Sequence, residues 1–310
     1  MTNTNTAELA QLAQRLVESG QYRVSQKFDP AVLEPTSVPE DAGIAVVLDT
    51  ETTGREESDK IIELGLVVFA YDKASGEVYG VVDTYNALED PGMPIPPEAT
   101  KVNGITDDMV AGQRIDDERV QALVEMADFV IAHNAGFDRP YCERRFPFFK
   151  AKAWACSLNQ MDWAAAGMSS AKLEYIAYRL GFFYDAHRAE NDCLALLYAL
   201  TLPLEELEGL TAMRFILQAY LQESRRIWAT GSPFEAKDLL KVRGYRWSDG
   251  SRAGTEKAWF TDVPAESLED ELAWLKAEVF NRRPFSVPVD TLDAHTRFTD
   301  RRGNTERVYR

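Results

Sequence analysis

Cysteine and histidine are both scarce in this chain of 310 residues, with three of each. Cys142, Cys156 and Cys193 form no close pair and no zinc-binding spacing. That excludes a disulfide scaffold and is read as reduced thiols in a cytoplasmic protein. No apolar run is long enough to cross a bilayer, and the first six residues lack the basic start and apolar stretch of a signal peptide. Basic residues are also short, 34 Lys and Arg against 50 Asp and Glu, leaving a net charge of −16. Such a balance argues against non-specific coating of nucleic acid, yet permits a grip on a few phosphates through bound metal. Internal repeats and low-complexity segments are absent. The length allows two domains, and 45% apolar with 27% charged residues is ordinary for a soluble globular protein.

What is present is concentrated first in Ile44 to Gly54. The run Ile44 to Leu48 is apolar and β-branched, the pattern of a strand buried on both faces. It ends in Asp49 and Glu51, two apart, so an extended chain aims both carboxylates to one side. Together they can share a hard divalent cation, or they can simply be solvated acids at a strand end. Two further strands, Lys60 to Tyr71 and Glu77 to Leu88, are expected to continue a meander. A fourth, Asp128 to Ala132, runs into His133-Asn134-Ala135-Gly136-Phe137-Asp138, and a helix is expected over 137–146. A short fifth strand is expected over 153–158, and helices over 172–180 and 188–200. The N-terminal residues 1–42 read as an arm, a helix followed by an extended segment.

Asp49, Glu51, Asp138, His187 and Asp192 stand out because each falls at the start or end of a core element. Carboxylates and water suit Mg²⁺ or Mn²⁺, whereas zinc would want more nitrogen or sulfur. Four carboxylates can hold two such ions, the arrangement that clamps both oxygens of an in-line phosphoryl displacement. Of the three histidines, His187 is placed to act as a base, while His133 reads as satisfying local backbone groups.

Leu48-Asp49-Thr50-Glu51-Thr52-Thr53-Gly54, His133 to Asp138 and His187-Arg188-Ala189-Glu190-Asn191-Asp192 resemble the three motifs of the DEDDh 3′→5′ exonucleases. The family includes proofreading subunits of bacterial DNA polymerase III, and the resemblance covers 43–203. The tyrosine branch of the family carries its tyrosine four positions before the last aspartate. Arg188 stands there in this chain, so the histidine branch is indicated. The resemblance implies an α/β fold, a ribonuclease H-like mixed sheet of five strands in order 3-2-1-4-5 with helices on both faces. It implies Asp49, Glu51, Asp138 and Asp192 as ligands of two Mg²⁺ or Mn²⁺ ions, and His187 as general base. Thr50 and Thr52 fall where the family approaches the terminal nucleotide. Glu98 and Asn103 align with a substrate-contacting segment; many members carry histidine at the latter position, and a helix cap and a turn residue are the competing readings. The expected substrate is the 3′ end of single-stranded DNA, released as nucleoside 5′-monophosphates, with RNA as the alternative. A polymerase or repair protein is an expected partner, and a membrane is not. A non-catalytic binding module should have lost one of the five site residues, and none is missing.

Composition changes after Pro203, so 43–204 is expected to form the exonuclease domain and 205–310 a small α/β accessory domain for nucleic acid or a partner. Its aromatic and basic residues suit single-strand stacking, although Trp247 and Trp259 also read as cross-strand core partners. Arg297 to Arg310 reads as a basic or frayed tail. Arg139, Arg144, Arg145, Lys150 and Lys152 read either as a phosphate-steering surface or as a solvated helix face. A chain ending near residue 205 is expected to keep activity on short substrates.

Overall fold

The computed structural model describes residues 3–35, 37–251, 254–301 and 303–310. Its strands are β1 (Gln26–Lys27), β2 (Gly43–Thr52), β3 (Ile61–Tyr71), β4 (Val78–Leu88), β5 (Phe129–Ala132), β6 (Trp154–Cys156), β7 (Phe182–Phe183), β8 (Ser224–Ala229), β9 (Arg246–Asp249), β10 (Lys257–Pro264), β11 (Ser286–Leu292) and β12 (Asn304–Tyr309). The helices are α1 (Asn3–Glu18), α2 (Pro97–Asn103), α3 (Asp107–Val110), α4 (Asp117–Met126), α5 (Ala135–Arg145), α6 (Leu173–Arg179), α7 (Ala189–Thr201), α8 (Ala212–Leu221), α9 (Lys237–Val242) and α10 (Leu268–Trp274). Among the described residues no helix is long and apolar enough to cross a membrane. The strand order β4-β3-β2-β5-β6 is the expected 3-2-1-4-5, with β2, β3 and β4 antiparallel and β5 and β6 parallel. The fold is thus the mixed α/β sheet that the motifs implied.

Internal contacts group the chain into two compact units, Met1–Ile115 with Met161–Met213, and Asp116–Gln160 with Arg214–Arg310. In the first unit β3 is buried along its whole length, as its sequence, apolar but for Glu63, favours. Helix α7 packs on β2 and β3. It reaches them because Gly65 leaves a gap: a Cβ there would lie 2.5 Å from the Ala189 carbonyl carbon. The N-terminal arm is tied in by β1, which pairs parallel with β7, and by Phe28, whose ring stacks on Tyr198 at 4.9 Å.

The second unit joins α4, β5, α5 and β6 to everything after Met213. Its second sheet is antiparallel, in order β12-β11-β8-β10-β9. A core of Ile227, Leu240, Tyr245, Leu272, Leu275, Val287 and Val289 packs α9 and α10 against it. Trp247 and Trp259 are register partners with rings edge-on at 5.6 Å, although Trp247 stays 52% exposed. Two expectations are corrected. The stretch from Arg297 is no frayed tail: Arg297 is buried, and β12 forms a full antiparallel ladder with β11. Nor is the basic cluster uniformly a solvated face, although Arg144 and Lys150 are exposed. Arg139 is wholly buried, Arg145 grips Asp117 at 2.7 Å, and Lys152 donates to main-chain carbonyls of Glu125 and Ala127. Helix α5 also begins two residues earlier than expected, which places Pro140 near its middle rather than in its first turn.

Candidate active site

Burial along β2 alternates from Leu48 onward, with Asp49 and Glu51 half-buried and Thr50 and Thr52 buried. The two acids therefore share one face, as their spacing required. A β-bulge follows Glu51 and bends the chain away at that point. The register sets Asp49 opposite Gly65 and Glu51 opposite Glu63. The gap at Gly65 admits the start of α7, and α7 brings Asp192 to the acids of β2. Ligand atoms of Asp49, Glu51 and Asp192 all lie within 4.8 Å of one another. Such an all-oxygen set fits a hard divalent cation, and a cation would relieve the repulsion between the three carboxylates. The fourth acid, Asp138, belongs to the second unit, in the first turn of α5, and is 2% exposed.

Both oxygens of Asp192 are held. The Tyr184 hydroxyl donates to Oδ1 at 2.9 Å, and the Arg188 backbone N–H donates to Oδ2 at 3.0 Å, closing the first turn of α7. Burial pushes the Asp192 carboxyl up, and these two donors oppose that rise. Burial likewise raises the Tyr184 phenol, assisted by the Asp192 charge. His187 sits in a left-handed turn with φ 66°, and its ring is about half exposed. Its Nε2 lies 3.6 Å from Glu174 Oε1 on α6, an ion-pair distance too long for a hydrogen bond.

Three residues of this site were not singled out from sequence, Tyr184, Glu63 and Glu174. Glu63 is fully buried on β3. It accepts from Arg188 Nη2 at 2.8 Å and Nε at 3.1 Å, from Asn86 Nδ2 at 3.0 Å and from the Ala189 N–H at 3.2 Å. One carboxylate thus fixes both the residue after His187 and the first turn of the helix carrying Asp192. Removing it would leave Arg188 and a helix N–H without their acceptor. Glu63→Ala should therefore destabilise by about 1–3 kcal/mol, the usual cost of leaving buried donors without an acceptor, measured by chemical denaturation. An effect below about 1 kcal/mol would mean that solvent replaces the pair freely.

The remaining expected contacts are placed as follows. The Thr52 hydroxyl donates to Gly54 O at 2.6 Å, closing the turn after β2. Asn103 Oδ1 accepts from the Ile105 N–H at 3.0 Å, a turn role at the end of α2. Glu98 is exposed in the first turn of α2, where Pro96 is the N-cap, so it does not cap that helix. His133 Nδ1 lies 2.9 Å from Ser157 Oγ, a side-chain hydroxyl just past β6.

The α/β sheet of this order, with three carboxylates converging at the end of its central strand, has the fold and acid placement that the motifs implied. Comparison with known proteins narrows the assignment. The model of the RNase T family, described as Exonuclease, matches residues 46–200, half of the chain. DNA polymerase III subunit epsilon of Treponema pallidum (strain Nichols) is 30% identical over 154 residues, 46% of this chain and 68% of that protein. A PolC-type DNA polymerase III of Clostridium perfringens (strain 13 / Type A) is 31% identical over 157 residues, 48% of this chain but 10% of the polymerase. The epsilon subunit of Pasteurella multocida (strain Pm70) is matched over 41% of its length, at 34% identity and 33% of this chain. Among solved structures, the chain is similar to an exonuclease X in complex with 5′ overhanging duplex DNA. That likeness has a TM-score of 0.39 and 25% identity, over 56% of this chain and 97% of the other. An exonuclease I structure gives a TM-score of 0.44 at 16% identity, over 60% and 49%.

The chain belongs to the RNase T exonuclease family, the one its three motifs resemble. It is a hydrolytic nuclease of a family in which the 3′→5′ direction is typical and divalent metals are general.

Proposed function

We propose that this protein removes nucleoside 5′-monophosphates from the 3′ end of single-stranded DNA. The observation that carries the reading is the convergence of Asp49, Glu51 and Asp192 at the end of a buried strand. With Asp138 as fourth ligand, this set would hold two Mg²⁺ or Mn²⁺ ions. Bound there, the ions would supply positive charge to the phosphoryl oxygens and make the attacking water more acidic. His187, on its exposed left-handed turn, accepts a proton from that water as its oxygen attacks phosphorus, and the 3′-oxygen of the penultimate nucleotide departs. Tyr184 and the Arg188 N–H keep the Asp192 carboxylate aimed, while Glu174 faces the imidazole edge of His187.

DNA is favoured over RNA because the curated relatives are named as DNA polymerase III chains, and a replication or repair polymerase is the corresponding partner. A cytoplasmic location follows from that assignment. Residues 205–310 are assigned as an accessory region for the strand. Exposed Trp247 beside Trp259, with Lys241 Nζ 5.9 Å from the Trp259 ring, suits stacking of unpaired bases. The deciding experiment compares end-labelled single-stranded DNA, RNA of the same sequence and a mismatched duplex, each with Mg²⁺ or Mn²⁺. Single-stranded DNA should be shortened from its 3′ end fastest. Faster loss of RNA would overturn the substrate assignment, and shortening from the 5′ end would overturn the direction.

A further inference from the structure

We propose that residues 293–301 form a strap that positions Asp138, by fixing helix α5 through Arg139 and Glu143. The inference rests on the reading of Asp138 as a metal ligand.

Helix α5 specifies itself poorly. Its N-cap, Asn134, is left-handed and makes no side-chain capping bond. Gly136 sits in its first turn, and Pro140 inside it removes one main-chain donor. A short helix of this kind takes its orientation from what grips it.

The grip comes from the strap. Arg139, the residue after Asp138, is entirely buried. Its Nη1 donates to Arg297 O at 2.6 Å and Ala294 O at 3.2 Å, and its Nη2 donates to His295 O at 2.5 Å. Its Nε donates to Glu143 Oε1 at 2.7 Å, one turn along the same helix. Glu143 in turn accepts from Thr299 Oγ1 at 2.6 Å and from Arg301 Nη2 and Nε at 2.9 and 3.0 Å. The far side of the strap is anchored by Arg297, which donates to Ala219 O and Tyr220 O at the end of α8 and to Ser224 Oγ. Ala294 O also accepts the Trp154 N–H at 2.7 Å, at the start of β6.

A planar guanidinium with fixed acceptors determines direction as well as distance. Arg139 and Asp138 are consecutive on one helix, so locking the first fixes the azimuth of the second. Three of the acceptors are backbone carbonyls, which the strap offers only in this one conformation. Phe298 within it is left-handed, with φ 63°, a conformation that the surrounding bonds must hold. Asp138 is therefore a ligand whose aim is set by chain more than 150 residues away in sequence.

The test uses the full-length protein, with Mn²⁺ as the probe. Arg139→Lys keeps the charge and loses the fork; Arg301→Ala removes an outer, half-exposed member of the same network. Each variant is checked for a cooperative melt, then titrated with Mn²⁺ by calorimetry without substrate. It is then assayed on the p-nitrophenyl ester of thymidine 5′-monophosphate. Both variants should bind Mn²⁺ about 10-fold more weakly or worse, with kcat falling in step, the usual effect of altering a partner that orients a ligand. KM for the ester should stay within about 2-fold, because no substrate contact is removed. Wild-type Mn²⁺ affinity and kcat in a variant that merely melts at lower temperature would overturn the proposal and leave the strap a structural clamp. If Arg139→Lys fails to melt cooperatively, Arg301→Ala decides. Asp138→Asn run in parallel separates the two readings. Should it bind Mn²⁺ like the wild type, the assignment of Asp138 as ligand fails, whatever the strap does.

Discussion

Asp49→Asn should leave a folded protein that hydrolyses single-stranded DNA about 10³-fold more slowly, equivalent to roughly 4 kcal/mol of lost transition-state stabilisation. The same loss should follow removal of divalent metal by a chelator, and added Mg²⁺ or Mn²⁺ should reverse it in the wild type only. Stability should move the opposite way. Without metal, three carboxylates with ligand atoms within 4.8 Å repel one another, so the neutral amide should melt at or above the wild-type temperature. His187→Ala marks the contrast between a ligand and a base. It should lose about 10²–10⁴ in rate yet titrate Mn²⁺ normally, since its ring is not among the converging ligands. Full activity of Asp49→Asn in chelator would remove the metal from the mechanism, and a His187→Ala protein that no longer bound Mn²⁺ would make His187 a ligand.

Ending the chain at residue 205 should abolish both the cooperative melt and activity on every substrate, including the thymidine ester. The composition change at Pro203 suggests a clean cut, but the contacts of α5 argue for the opposite result. Truncation would take away the three carbonyl acceptors of buried Arg139 and the acceptor of the Trp154 N–H. It would also take Tyr220, whose ring stacks on Phe129 at 4.2 Å. Each buried donor left without its acceptor costs about 1–3 kcal/mol, against a total stability of about 5–15 kcal/mol for a typical protein. A soluble 1–205 fragment with wild-type kcat on the ester would show that residues 116–160 fold without their C-terminal contacts.

The parts of the site that could be read from sequence are those where a side chain contradicts its surroundings. Asp49 and Glu51 end an apolar strand, and Asp192 opens an apolar helix, so their chemistry showed before any coordinates. Glu63 gave the same kind of signal, an acid between Ile62 and Leu64 in a strand buried throughout, and a charged hydrogen-bonding partner is what such a residue demands. Arg139 gave none. Its acceptors are carbonyls, which every residue carries, so nothing in the sequence of 294–297 marks it as the other half of a buried site. The left-handed turn at His187 was equally silent, since neither neighbour is glycine or asparagine. The sheet order was legible because the three motifs appear in sequence. The edge-on Trp247–Trp259 pair was legible from hairpin spacing, whereas the half-exposure of Trp247 depends on what covers the sheet.

The strap also sets a timetable. Helix α5 leaves the ribosome long before residues 294–301 are made, and it cannot reach its final packing until they arrive. At synthesis rates of about 5–20 residues per second, that interval is roughly 8–30 s. During it the nascent chain carries its first two acids on a finished hairpin while Asp138 waits on an ungripped helix. On the role proposed for the strap, Asp138 takes its final aim only when the last sheet closes.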